Sequence, residues 1–165
     1  MKRDIGLFWG GVAVLCHGMT ALACLGMAAT ILVVCADVAL RLAGHPVKGA
    51  YDIVRITGAV TVACALPLTT AVKGHVAIEY FFRKLNRVSR LAVDSCMRLV
   101  MICCFLLAAY ECAGYGWRFL RNGQVTDTIE MPIFWVPWLM SAAFGLTAVI
   151  VVFHLVYPGR EIIRS

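Results

Sequence analysis

Ionisable side chains near long apolar stretches are the first candidates for chemistry in this sequence. Glu111 is the one acidic residue within residues 99–117, and Arg55 directly precedes the apolar residues 56–72. An ionisable residue inside a membrane segment indicates an ion path, a proton relay or a structural ion pair. At about 1.5 Å of helix rise per residue the two lie at similar depths. We predict an intramembrane pair of Arg55 and Glu111, formed within the bundle or shared with a neighbouring membrane protein.

Cysteine and histidine residues suggest redox chemistry, but their positions argue against it. The chain has eight cysteines and no C-x-x-C motif. None of the cysteines lies in the loop between the first and second apolar stretches or in the loop between the third and fourth, which we expect to face outward. A buried free cysteine behaves as a small apolar residue. His17 and His154 fall at different depths, so they are poorly matched as ligands of one haem. We therefore predict no catalytic residue, no cofactor and no metal site, and expect that the protein is not an enzyme.

Four apolar stretches define the expected fold. Hydrophobic residues make up 62% of the 165 residues, and charged residues only 15%. A bilayer core about 30 Å thick requires roughly 20 apolar residues of helix. The sequence predicts a single all-α integral membrane domain covering residues 1–165, with spans near residues 7–36, 53–72, 97–117 and 133–157. Between the second and third spans, residues 76–92 would place apolar side chains on one face of a helix and mainly basic side chains on the other. This pattern predicts an amphipathic helix at the membrane interface.

The distribution of Lys and Arg sets the expected orientation. Four crossings leave ten of the fifteen basic residues on the side of the termini and the central segment, and five on the other side. The positive-inside rule then places both termini in the cytoplasm. The net charge of +6 is explained by residues that flank apolar spans and meet lipid headgroups. We expect membrane lipids, and no nucleic acid, as partners.

Small residues form a stripe along the first helix. Their spacing keeps them on one side of a helix with 3.6 residues per turn, and small residues on one face allow another membrane helix to approach closely. The stripe is either a docking seam for another protein or ordinary packing within the bundle, and the sequence favours neither. Its members are Gly11, Gly18, Ala21 and Ala29.

Short motifs in fixed order resemble the small membrane subunit, or Q subunit, of tripartite ATP-independent periplasmic (TRAP) transporters. They are Val-Ala-Leu-Arg at 38–41, Tyr-Asp at 51–52, Lys-Gly-His-Val-Ala-Ile-Glu at 73–79, and the Gly/Thr-rich turn at 123–132. The likeness extends from the first helix through the fourth. Asp52 stands where the family commonly has Glu. The matching positions are Arg41, Asp52, His75, Glu79, Thr128 and Pro132.

The resemblance implies a subunit in the bacterial inner membrane that does not hold the substrate. Its partners would be a large membrane subunit, which carries the substrate and sodium sites, and a periplasmic binding protein that delivers an organic anion, either a carboxylate or a sulfonate. The resemblance places the binding protein against the two outward loops. Candidate contacts there are Lys48, Arg118, Arg121 and Asp127.

Two other functions remain open from the sequence. A self-sufficient four-helix transporter acting as an oligomer would place a polar cluster at the bilayer midplane, for which Glu111 is a weak candidate. A membrane anchor subunit of a redox enzyme is disfavoured by the placement of the cysteines and histidines. If the resemblance holds, substrate specificity belongs to the other chains of the transporter.

Overall fold

Four helices make up most of the residues that the structure describes. A computed structural model describes the chain at residues 2–72 and 87–156. The helices are α1 (Lys2–Leu42), α2 (Ala50–Ala71), α3 (Arg87–Arg121) and α4 (Trp135–Val156). Each contains a segment long and apolar enough to cross a membrane. The predicted all-α architecture with four spanning helices is confirmed.

Helix lengths differ from the predicted spans at α1 and α3. The 22 residues of α2 and of α4 give about 33 Å each, close to the thickness of a bilayer core. By contrast, α1 has 41 residues and α3 has 35, so both extend well beyond it. The predicted interfacial helix is not confirmed, because residues 87–92 form the start of α3 and residues 76–86 lie outside the described part.

The helices pack in the order α1, α2, α4, α3 across the bundle. The main contacts join α1 to α2, α2 to α4, and α4 to α3. Two clusters of buried side chains each unite α1, α2 and α4: Val12, Cys16, Ala71 and Ile150 in one, and Ala23, Val60, Cys64 and Val136 in the other. The two outer helices consequently leave much of their apolar surface uncovered within this chain.

Polar contacts fix the inner helices against the outer ones. The hydroxyls of Thr30 on α1 and Thr57 on α2 share a hydrogen bond of 2.7 Å. Ser141 on α4 donates to the Ala109 carbonyl of α3 at 2.7 Å. In an apolar surrounding these bonds set the rotation of one helix against another, which uniform apolar packing specifies poorly.

Candidate functional site

The connection from α1 to α2 and the connection from α3 to α4 lie at the same end of the bundle. We call these two connections the loop end (residues 43–49 and 122–134). There α1 and α3 terminate in the same way. Gly44 has φ 82° and Gly123 has φ 60°, a left-handed conformation that glycine adopts without steric cost. After α1, His45 N–H donates to the Leu40 carbonyl, and after α3, Gln124 N–H donates to the Phe119 carbonyl. Together with the bonds from the glycine N–H groups, these are Schellman motifs.

Asp37 holds the α1–α2 connection in place. One carboxylate oxygen accepts from the guanidinium of Arg41 at 2.6 Å, one helical turn away, and the other accepts from the backbone N–H of Val47 at 3.0 Å. The Asp37 carboxylate is largely covered, while Arg41 is mostly exposed. Arg41, predicted as a family-motif residue, therefore supports the connection through Asp37.

The α3–α4 connection folds into a short hairpin. Val125 and Pro132 form an isolated antiparallel bridge. Inside it, Thr126 N–H donates to the Met131 carbonyl at 3.0 Å, and Met131 N–H donates to the Thr126 hydroxyl at 3.0 Å. The side chain of Thr126 is buried. Local hydrogen bonds thus give the connection a defined shape without help from a sheet.

Asp52 joins that hairpin to the start of α2. Its side chain is fully buried, and its Oδ2 accepts a hydrogen bond from the backbone N–H of Thr128 at 2.8 Å. Its Oδ1 has no hydrogen-bond partner among the described residues. Two of the predicted family-motif positions, Asp52 and Thr128, therefore come together. A buried carboxylate requires hydrogen-bond donors, and the backbone N–H of Thr128 supplies one.

A second contact between the same two segments depends on a glycine. Gly49 precedes α2 with φ 83°, and a Cβ at this position would overlap the side chain of Ile129. Ile129 thus covers the turn that begins α2. Gly49 was not among the residues predicted from the sequence, and Thr126 and Ile129 were included only as part of the Gly/Thr-rich turn at 123–132. Glycine immediately before the Tyr51-Asp52 pair was the available signal.

The four predicted docking residues are all exposed. Lys48 and Asp127 lie in the loop end, and Arg118 and Arg121 lie beside it in the last turn of α3. The guanidinium of Arg118 lies 4.3 Å from the centre of the Tyr115 ring, a cation–π distance. The arrangement provides a charged surface on a hydrogen-bonded frame. Among the described residues there is no group of three His, Cys, Asp or Glu side chains placed to hold a metal ion.

Arg55 and Glu111 contact different partners in the structure. Arg55 Nη1 lies 3.9 Å from Asp127 Oδ2, and Glu111 Oε2 lies 4.0 Å from Arg118 Nη2. Each of these four side chains is nearly half exposed or more, so the pairs contribute at most about 1 kcal/mol. The expected Arg55–Glu111 pair is not formed within this chain. A contact of Glu111 with another membrane protein remains a prediction.

The small-residue stripe of α1 divides into two parts. Gly11, Gly18 and Ala21 are exposed, while Ala29 is partly covered, and a Cβ built on Gly11 or Gly18 would meet nothing within 4 Å. The contact with α2 is made instead at Gly26, where a Cβ would lie 2.5 Å from Thr61 Oγ1. Most of the predicted seam is therefore not used for packing inside this chain.

The remaining motif residues can be placed only in part. Pro132 forms the base of the hairpin opposite Val125. His75 and Glu79 lie outside the described residues. Of the predicted motif set, the structure thus brings together Asp52, Thr128 and the hairpin that ends at Pro132, and it places Arg41 on the neighbouring connection.

Four apolar spanning helices, two uncovered outer helices and a rigid polar loop end define a small multi-pass membrane protein. The family model of the tripartite ATP-independent periplasmic transporters, DctQ component, matches residues 30–159. This is more than half of the chain, and the chain belongs to that family. The comparisons with curated proteins and with solved structures found no match. The protein is accordingly a small membrane subunit of a TRAP transporter.

Proposed function

We propose that this subunit braces the large permease subunit and helps the periplasmic binding protein to dock during sodium-driven uptake of an organic anion, either a carboxylate or a sulfonate. The observation that carries the bracing role is the uncovered face of α1. A Cβ on Gly11 or Gly18 would meet no atom of the described residues within 4 Å, and large apolar side chains such as Val14 and Leu25 are more than two-thirds exposed. Small residues beside apolar ones suit close packing against another helix.

Docking of the binding protein is supported by the loop end. Lys48, Arg118 and Arg121 are exposed cations. Lys48 lies on the connection that Asp37 holds in shape, and the two arginines lie in the last turn of α3, which leads into the hairpin that Asp52 holds. Fixed charges of one sign steer an oppositely charged partner and accelerate its association. The resemblance of the sequence to the family suggests the same surface.

Reconstitution tests the bracing role. The large subunit and the binding protein would be placed with a sodium gradient in proteoliposomes, with and without this chain, and uptake of the anion measured. We expect uptake only when all three proteins are present, and efficient co-purification of the two membrane subunits. Undiminished uptake by the large subunit and binding protein alone would refute an essential bracing role.

We also propose that the loop end faces the periplasm and that both termini face the cytoplasm, as the ten-to-five distribution of basic residues indicates. Single cysteines at Lys48, Arg121 and Asn86, in a variant lacking the native cysteines, would report it. An impermeant thiol reagent added from outside should label the first two positions. Labelling at Asn86 from outside would contradict the orientation.

A further inference from the structure

A cavity of about 310 Å³ lies between α2, α3 and α4 near the loop end. Its walls are apolar except for Arg55, and its lining consists of Arg55, Ile56, Ala59, Phe119, Ile133, Val136 and Pro137. It exists because α2 and α3 both pack against α4 but make few direct contacts with each other, so that a space remains between them. Apolar walls give water too few hydrogen-bond partners to fill such a space.

Two side chains of opposite charge, Arg55 and Asp127, lie next to the cavity. Arg55 follows the first residue of α2 by five positions, which places it about 7 Å along the helix from the loop end. Beyond it, Asp127 Oδ2 lies 3.9 Å from Arg55 Nη1, and the Asp127 side chain is 82% exposed. Three features therefore follow one another in space: the apolar cavity, the Arg55 guanidinium at its wall, and the exposed Asp127 carboxylate next to that guanidinium.

We propose that this cavity binds phosphatidylethanolamine from the leaflet at the loop end. Part of one acyl chain occupies the apolar cavity, the phosphate accepts hydrogen bonds from the Arg55 guanidinium, and the ammonium group donates to the Asp127 carboxylate. Arginine is suited to phosphate because its planar group presents several N–H donors. In this lipid the negative phosphate is nearer the acyl chains and the positive ammonium is further out. The protein presents Arg55 beside the cavity and Asp127 beyond it, so each lipid charge would meet a side chain of opposite charge.

The existing contact between Arg55 and Asp127 does not prevent this binding. At 3.9 Å, with side chains 46% and 82% exposed, the pair is long and solvated, and such pairs contribute little. A lipid headgroup can separate the two charges and give each a closer partner. Because a lipid chain is as apolar as leucine, selectivity must come from the headgroup.

Lipid retention by the purified complex of this chain with its large membrane subunit tests the proposal. Native mass spectrometry would compare phosphatidylethanolamine, phosphatidylcholine and phosphatidylglycerol with identical acyl chains. We expect about fivefold preference for phosphatidylethanolamine over phosphatidylcholine, whose nitrogen has no proton to donate. Asp127→Asn should remove that preference and leave phosphatidylglycerol retention unchanged. Arg55→Gln should lower the retention of all three lipids.

Matched variants distinguish the cavity from general lipid contact. Ala59→Phe fills the cavity and should reduce lipid retention, whereas Val62→Phe adds the same ring to an exposed position of α2 and should not. Arg121→Gln removes a cation at the end of α3 that does not line the cavity and should have no effect on lipid retention. Arg55→Gln and Asp127→Asn alter exposed side chains, so the headgroup test stands even if Ala59→Phe impairs assembly.

Three results would overturn the proposal. One is equal retention of the three lipids by the wild-type complex. Another is an unchanged preference in Asp127→Asn. The third is a complex that retains no lipid at this position because a side chain of the large subunit fills the cavity, as cross-linking from a cysteine at Ala59 to that subunit would reveal.

Discussion

The fully buried carboxylate of Asp52 accepts a hydrogen bond at 2.8 Å from the backbone N–H of Thr128, a residue 76 positions later in the chain. This bond joins the start of α2 to the hairpin that leads into α4. Asp52 therefore holds the hairpin of the loop end against α2.

Asp52→Ala should destabilise the protein by about 1–3 kcal/mol, because the hydrogen bond between the Asp52 carboxylate and the Thr128 N–H is lost and bonds to a carboxylate are among the stronger ones. Asp52→Asn is the matched control, since the amide oxygen can still accept the bond and most of the stability should remain. Thermal unfolding in detergent would measure both. Equal losses in the two variants would show that the charge of Asp52, rather than its hydrogen bond to Thr128, maintains the loop end.

Gly116→Ala should separate α3 from α4. A Cβ at Gly116 would overlap the indole of Trp138, and overpacking of this kind costs about 1–3 kcal/mol. Gly114→Ala on the same helix meets nothing within 4 Å and serves as the control. Adding Trp138→Leu to Gly116→Ala should restore part of the stability, and additive effects of the two changes would argue against a direct contact.

Gly18→Leu should weaken assembly with the large subunit without changing the stability of the isolated chain, because Gly18 is exposed and a Cβ there would meet nothing within 4 Å among the described residues. Gly26→Leu should destabilise the chain itself, since the added side chain would press on Thr61 and on the Thr57 carbonyl. Thermal unfolding and co-purification separate the two effects. Normal co-purification of Gly18→Leu would exclude this stretch of α1 from the subunit interface.

Glu111→Gln should reduce assembly of the complex and leave the sodium-to-substrate ratio unchanged. The Glu111 side chain is 63% exposed, with Arg118 4.0 Å away, so its loss should change the stability of the isolated chain by less than about 1 kcal/mol. A desolvated contact with the large subunit would be worth more. Uptake stoichiometry in the assembled variant is the measurement, and a changed ratio would make Glu111 part of the ion path.

Reversing the charges of Lys48, Arg118 and Arg121 together should slow uptake when the binding protein is limiting and ionic strength is low. The reason is loss of electrostatic steering, which salt screens. At high salt the variant and the wild type should converge, and that comparison is the internal control. Unchanged uptake at low ionic strength would rule out a steering role for these three cations.

Much of the fold follows from local sequence. Runs of apolar residues predict four spanning helices because an isolated helix satisfies its own backbone in lipid. Gly44 and Gly123 mark the ends of α1 and α3 because a left-handed residue closes the last turn. The family was also recognisable from short motifs in order, since Asp52 and Thr128 are identifiable before their contact is known.

Only the tertiary structure decided which residues meet. A helix that is apolar on all sides has no polar face to fix its rotation, so the sequence could not tell that Gly26, rather than Gly18, faces α2. The packing order α1, α2, α4, α3 likewise placed Arg55 beside Asp127 and left Glu111 beside Arg118. Depth along a helix can be counted from the sequence, but the direction in which a side chain points depends on how neighbouring helices pack.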